Sequence, residues 1–144
     1  AAAGGGADAL LGWKPKDGHV LIIEDDPLAL KAMVAQLEIW GMRVAGAQSG
    51  SDAAASLARA GFSPDIVITD YHLHGGETGM MALAQIAPML RENIPVIFLT
   101  GDTLGDVRHK IGPDHMHLLQ KPVAPGKLRV LIRNLLAGQD QSRG

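Results

Sequence analysis

Four short apolar runs in this chain each end in residues that could do chemistry. His19-Val20-Leu21-Ile22-Ile23 leads to Glu24-Asp25-Asp26, and Ile66-Val67-Ile68-Thr69 leads to Asp70. Pro95-Val96-Ile97-Phe98-Leu99 leads to Thr100-Gly101-Asp102, and a weaker run, Met116-His117-Leu118-Leu119, leads through Gln120 to Lys121-Pro122. Carboxylates gathered in one place repel one another unless a cation or a proton comes between them. Mg2+, a hard ion that takes oxygen ligands, is the natural cation. Asp70 could ligate that ion, or attack phosphorus to give an aspartyl phosphate. The Thr100 hydroxyl and the Lys121 ammonium would then meet the charge on the transferred phosphoryl oxygens. Singly, each residue has a plainer reading: Asp26 a helix cap with Glu24 and Asp25 at a helix N-terminus, Asp70 a turn residue, Thr100 a strand end, Lys121 a surface lysine. The combination is what argues for a site.

The elements that must position these groups follow from pattern. Runs of this length, rich in Val and Ile, read as buried parallel strands, so the polar residues fall at carboxyl ends of strands. In an open α/β sheet, that edge is where ligands bind. Pro27 suits a first helical turn capped by Asp26, and that helix runs to about Trp40 before Gly41. Met42 to Gly46 reads as a second strand, and Ser49 or Ser51 caps a helix from Asp52 to Ala60. Pro64-Asp65 starts the third strand. A Gly-rich loop from His72 to Gly79 precedes a helix from Met80 to Leu90, and a short helix is expected near Leu104 to Lys110. The last helix, Pro125 to Leu136, sets Leu128, Leu131, Ile132 and Leu135 on one apolar face. Five strands alternating with five helices mean an α/β fold with a parallel sheet covered on both faces.

Composition narrows the classes. With 144 residues the chain suits one domain, and 47% hydrophobic residues suffice for a packed core. Net charge of -2 and 3% aromatic residues argue against nucleic-acid binding through a basic surface or a stacking platform. No apolar stretch is long enough to span a bilayer. The absence of cysteine excludes disulfides and thiolate metal sites and fits a cytoplasmic protein, or the cytoplasmic part of a membrane-bound parent. Residues 1–15, opening Ala-Ala-Ala-Gly-Gly-Gly, read as a linker or cloning-derived segment, 16–137 as the folded domain and 138–144 as a polar tail. His19, His72, His74, His109, His115 and His117 show no convincing metal-ligand spacing.

Glu24-Asp25, Asp70, Thr100 and Lys121-Pro122 together resemble the motif set of a response-regulator receiver domain, over roughly Lys16 to Leu136. The resemblance implies a doubly wound, flavodoxin-like sheet of order 2-1-3-4-5. It implies Asp70 as phosphoacceptor, Mg2+ held by Glu24, Asp25, Asp70 and the His72 backbone carbonyl, Thr100 as switch hydroxyl, Lys121 as phosphate partner, and a cis Lys121-Pro122 bond. It also implies a histidine kinase or histidine phosphotransfer domain as partner. The Gly-rich start and the Tyr71-His72-Leu73 segment suggest the C-terminal receiver of a hybrid sensor histidine kinase, acting as a monomer. A stand-alone response regulator is the alternative. A phosphohydrolase of the haloacid-dehalogenase type fits less well, because it wants a second Asp where His72 stands. Four departures matter. Glu24 replaces the more usual Asp, and His74 stands where Pro is frequent. Gly79 arrives one residue late, so the loop 73–78 is longer, and Leu118 replaces the aromatic residue that usually follows the switch hydroxyl.

Overall fold

The structure, a computed structural model, describes residues 18–102 and 115–143. The segment 1–15 and the helix expected near 104–110 lie outside the described residues. Five parallel strands form one sheet: β1 (His19–Ile23), β2 (Arg43–Ala47), β3 (Ile66–Asp70), β4 (Val96–Thr100) and β5 (Met116–Gln120). Their order is β2-β1-β3-β4-β5, as the resemblance implied. Helices α1 (Pro27–Ile39), α2 (Gly50–Ala60), α3 (Gly79–Ile86) and α4 (Pro125–Arg143) connect or follow the strands.

Side chains alternate across each strand, which divides the apolar runs between two cores. Leu21, Ile23, Val67, Val96 and Phe98 pack with Leu57 of α2 and with Leu83 and Ile86 of α3. Val20, Ile22, Ile66, Ile68, Ile97 and Leu99 pack with Leu37 and Trp40 at the end of α1 and with Leu128 and Ile132 of α4. Each large aliphatic side chain buried this way contributes about 1.5–3 kcal/mol. Central strands with both faces buried have no solvent side, so they read as unbroken apolar runs. They end where the first polar residue can leave the sheet.

Local chemistry sets the helix starts. Asp26 accepts the Leu28 N–H at 3.1 Å with Pro27 in the first turn, and Thr78 accepts the Met81 N–H at 3.2 Å. Ser49, not Ser51, caps α2 by accepting the Asp52 N–H at 3.1 Å, so that helix begins at Gly50. The second strand starts one residue later than its composition suggests, because the Met42 N–H is spent on the Leu37 carbonyl at the end of α1. The third strand likewise begins at Ile66, after Pro64-Asp65. Helix α3 stops at Ile86 and continues only as a 3-10 turn, Ala87–Met89, since Pro88 has no N–H to extend it. Helix α4 runs on to Arg143, taking in most of the segment read as a polar tail. A single Gly138 costs a helix only about 1 kcal/mol relative to alanine and does not stop it.

Candidate functional site

The residues singled out in the sequence lie along the carboxyl edge of the sheet. Glu24 and Asp25 directly follow β1, Asp70 ends β3, Thr100 ends β4, and Lys121 follows β5. Parallel register places Ile23 beside Thr69 and Asp70 beside Leu99, so neighbouring strands end almost level. Glu24, Asp70 and Thr100 are buried, with 3%, 4% and 2% of their surface exposed. Buried carboxylates need partners.

Carboxylate oxygens of Glu24, Asp25 and Asp70 all lie within 4.8 Å of one another. Lys121 reaches in from the fourth side. Its Nζ stands 2.8 Å from Asp70 Oδ1 and donates to Glu24 Oε1 at 3.4 Å. The contact with Asp70 is a close ion pair at an otherwise buried carboxylate oxygen. Asp26 N–H donates to Glu24 Oε2 at 3.1 Å. Burial, then the Asp70 carboxyl beside it, pushes Glu24 above its ordinary value. Burial, then the adjoining Glu24, does the same to Asp25. Burial alone would lower the Lys121 ammonium, but Asp70 and Glu24 outweigh it and hold it above its usual range. Three acidic groups around one lysine therefore leave excess negative charge, and an oxygen-lined site of that kind fits a hard divalent cation.

The Lys121-Pro122 bond is cis. Thr100 closes the end of β4, with its Oγ1 accepting the Asp102 N–H at 3.0 Å. The chain after Asp70 folds into a small hairpin, in which the His72–Thr78 bridge is flanked by the bonds Leu73 N–H to Glu77 O (2.8 Å) and Gly79 N–H to Tyr71 O (2.7 Å). Neither of these bonds uses the His72 carbonyl. The longer loop closes through Gly75 and Gly76, at φ 74° and 82°, a left-handed conformation that glycine adopts without a Cβ penalty. Gly79 is required for a different reason: a Cβ there would sit 2.5 Å from the Asp70 carbonyl oxygen and 3.0 Å from the Phe98 ring. That close approach brings the start of α3 against the end of β3.

Glu24, Asp25, Asp70 and Lys121 thus meet, Thr100 stands at the adjoining strand end, and the His72 ring turns outward to Asp102, Nε2 to Oδ2 2.7 Å. Asp102 is the participant that spacing alone did not single out. It touches Thr100 through its backbone and His72 through its side chain, and only its place two residues past Thr100 hints at this. His19 lies at the opposite edge, stacked on Phe62 at 4.8 Å. Among the described residues, Glu24, Asp25 and Asp70 form the one group of three His, Cys or acidic side chains close enough to hold an ion. No helix among the described residues is long and apolar enough to cross a membrane.

Comparison with known proteins agrees with this geometry. The response regulator receiver domain family matches residues 20–133. The chain is 29% identical over 127 residues to the phyllosphere-induced regulator PhyR of Methylorubrum extorquens, covering 87% of this chain and 46% of that protein. It is 33% identical over 118 residues to the alginate biosynthesis transcriptional regulatory protein AlgB of Pseudomonas aeruginosa, covering 80% of this chain and 25% of that protein. The chain therefore spans half or less of the length of the curated relatives it matches. Among solved structures, a response regulator receiver domain protein from Clostridium thermocellum superposes with a TM-score of 0.70 at 28% identity, covering 86% of this chain and 98% of that one. The response regulator PhyR from Brucella abortus gives a TM-score of 0.71 at 27% identity, covering 87% of this chain and 50% of that one. With its strand order, its acidic cluster and a family match that reaches all five strands, this chain belongs to the response regulator receiver domain family.

Proposed function

We propose that Asp70 is the phosphoacceptor of a two-component phosphorelay. The observation that carries this reading is the buried Asp70 carboxylate, with Lys121 Nζ 2.8 Å from its Oδ1 and the Glu24 and Asp25 oxygens within 4.8 Å. An Asp70 oxygen forms a bond to phosphorus as the P–N bond of a phosphohistidine breaks, and the imidazole nitrogen keeps that electron pair. Glu24, Asp25, Asp70 and the His72 carbonyl would hold Mg2+, which when bound neutralises charge on the phosphoryl oxygens. Lys121 pairs with one phosphoryl oxygen and Thr100 donates its hydroxyl proton to another. The domain so read promotes its own phosphorylation and dephosphorylation.

A histidine kinase or histidine phosphotransfer domain supplies the phosphoryl group. Leu28, 77% exposed at the start of α1, and Lys121-Pro122-Val123 flank Asp70 and offer the docking edge. In the favoured setting the domain is the C-terminal receiver of a cytoplasmic or membrane-anchored hybrid kinase and works as a monomer. The likeness to PhyR supports a second setting, a receiver within a regulator of that kind. Intact mass after acetyl phosphate and Mg2+ tests the acceptor: one phosphoryl group on the unsubstituted protein and none on Asp70→Asn. Equal labelling of the variant would overturn the assignment. Rapid onward transfer to a phosphotransfer domain favours the hybrid-kinase setting, and a retained phosphoryl group favours the regulator.

A further inference from the structure

We propose that the open edge of β2 is a docking groove for an apolar segment of this same chain, Leu10-Leu11-Gly12-Trp13, which adds to the sheet there as a short extra strand. The proposal is independent of the phosphoacceptor reading. A groove of about 390 Å3 lies at the amino edge, lined by Glu38, Met42, Arg43, Val44, Ala60 and Phe62. Glu38 comes from the end of α1, Ala60 from the end of α2, and Arg43 and Val44 begin β2.

Strand β2 ends the sheet and pairs with β1 alone. Two contacts set the direction of its backbone groups. The Arg43 N–H donates to the Gly18 carbonyl, and the Ala47 carbonyl accepts the Glu24 N–H, both at 2.9 Å. Alternation then turns the backbone of Arg43, Ala45 and Ala47 toward β1, and that of Val44 and Gly46 away from it. Gly46 is covered. Ser56 of α2 donates its hydroxyl to the Gly46 carbonyl at 2.8 Å. Leu30 and Val34 of α1 lie so close that a Cβ on Gly46 would meet them at 3.3 and 3.2 Å. Val44 instead lies where the groove opens, with its outward N–H and C=O among apolar side chains. An open strand edge of this kind is a template for another strand.

Connectivity selects the occupant. Residues 1–17 lie outside the described residues, and the chain enters the sheet through Gly18, whose carbonyl holds Arg43 beside the groove. Trp13 stands five residues before Gly18. The place beyond β2 is two strand spacings from β1, about 10 Å. Five residues of chain span up to about 17 Å. So short a tether gives the segment an effective concentration on the order of millimolar at the groove. Charge fits as well: the apolar run lies between Asp8 and Lys14, and the groove carries Arg43 and Glu38. An aromatic anchor such as Trp13 buries about 150–250 Å2. The added strand closes the stretch of β2 that neither helix covers, and it fixes the entering chain at the edge opposite Asp70.

The test uses the full chain. Amide hydrogen exchange is followed at Val44 in the unsubstituted protein and in a Leu11→Ser, Trp13→Ser double variant, whose changes lie outside both cores of the sheet. Exchange at Val44 should quicken by about tenfold or more in the variant, while Ile68 at the sheet centre keeps its rate. Trp40→Phe leaves Trp13 as the one tryptophan of the two in the chain. Its emission should lie to the blue of a free peptide of residues 7–17, and adding Phe62→Ala should return it toward the peptide value. An unchanged Val44 rate, or peptide-like emission from Trp13 in the folded protein, would overturn the proposal. Protection that fades on dilution, with a dimer in sedimentation, would also overturn it, because the groove would then take a second copy. The exchange measurement decides alone if Trp40→Phe fails to fold.

Discussion

At the amino edge of the sheet, Asp65 accepts the His19 backbone N–H at 3.0 Å, Arg91 donates to the Asp65 carbonyl at 3.2 Å, and the Phe62 ring stacks on His19 with the Arg43 guanidinium 5.5 Å from its centroid. Charge there is met by a neighbour. At the carboxyl edge, Glu24 and Asp70 are buried beside one another with a single lysine paired to both. One sheet therefore carries an edge whose charges are met by neighbours and an edge where buried carboxylates outnumber the one lysine beside them. The lesson is that unbalanced burial, more than the presence of charge, distinguishes a site from a surface.

The comparison breaks most sharply at Asp70. Asp70→Asn should abolish phosphoryl labelling while the protein stays folded, checked by intact mass and by circular dichroism. Asp25→Asn should come next, weakening Mg2+ binding by about tenfold or more, or about 1.4 kcal/mol, in a calorimetric titration. Binding as tight as in the unsubstituted protein would place the cation elsewhere. At the other edge, Phe62→Ala should cost about 1–3 kcal/mol in urea unfolding, because the ring is only half-buried, and leave labelling unchanged. A loss of labelling there would mean that the two edges are coupled.

Smaller effects sharpen the contrast. Glu24 is raised above 4.5 in the fold, so without metal the folded state binds more protons than the unfolded state above that pH. Its contribution is greatest below 4.5 and is lost as pH rises through the raised value. Burial, with His115 nearby, lowers His117 below 6.5, which gives the opposite sign: stability is lost as pH falls below 6.5. Unfolding in EDTA across this range, compared between Glu24→Gln and the unsubstituted protein, isolates the acidic term. The variant should gain in relative stability toward acid less than the unsubstituted protein does, and Mg2+ should flatten the difference at neutral pH. The smallest effect expected is on association. Leu118 is half-buried and has no ring to move between buried and hydrated positions as a tyrosine can, so beryllofluoride with Mg2+ should leave the sedimentation coefficient close to that of a monomer. A phosphomimic-dependent dimer would favour an output regulator over a hybrid-kinase receiver.

Much of this molecule is written locally. Apolar runs bounded by polar residues, Asp26 before Pro27, and Gly61 after α2 at φ 73° each act over a few neighbouring residues, and a sequence displays such relations directly. So strands, helix starts and the placing of acids at strand ends were legible, and the receiver resemblance supplied the strand order. Choices between near neighbours were not: Ser49 and Ser51 both suit a cap, and backbone geometry selected Ser49. Neither were the contacts that cross the sheet. His72 meets Asp102, Glu77 reaches the Gly50 N–H at the start of α2 (3.3 Å), and Lys121 meets both Asp70 and Glu24. Each depends on where separate crossovers return the chain and on angles between side chains from different strands. Residue type and spacing specify which groups can react, but only the packed sheet decides which of them come within 3 Å of one another.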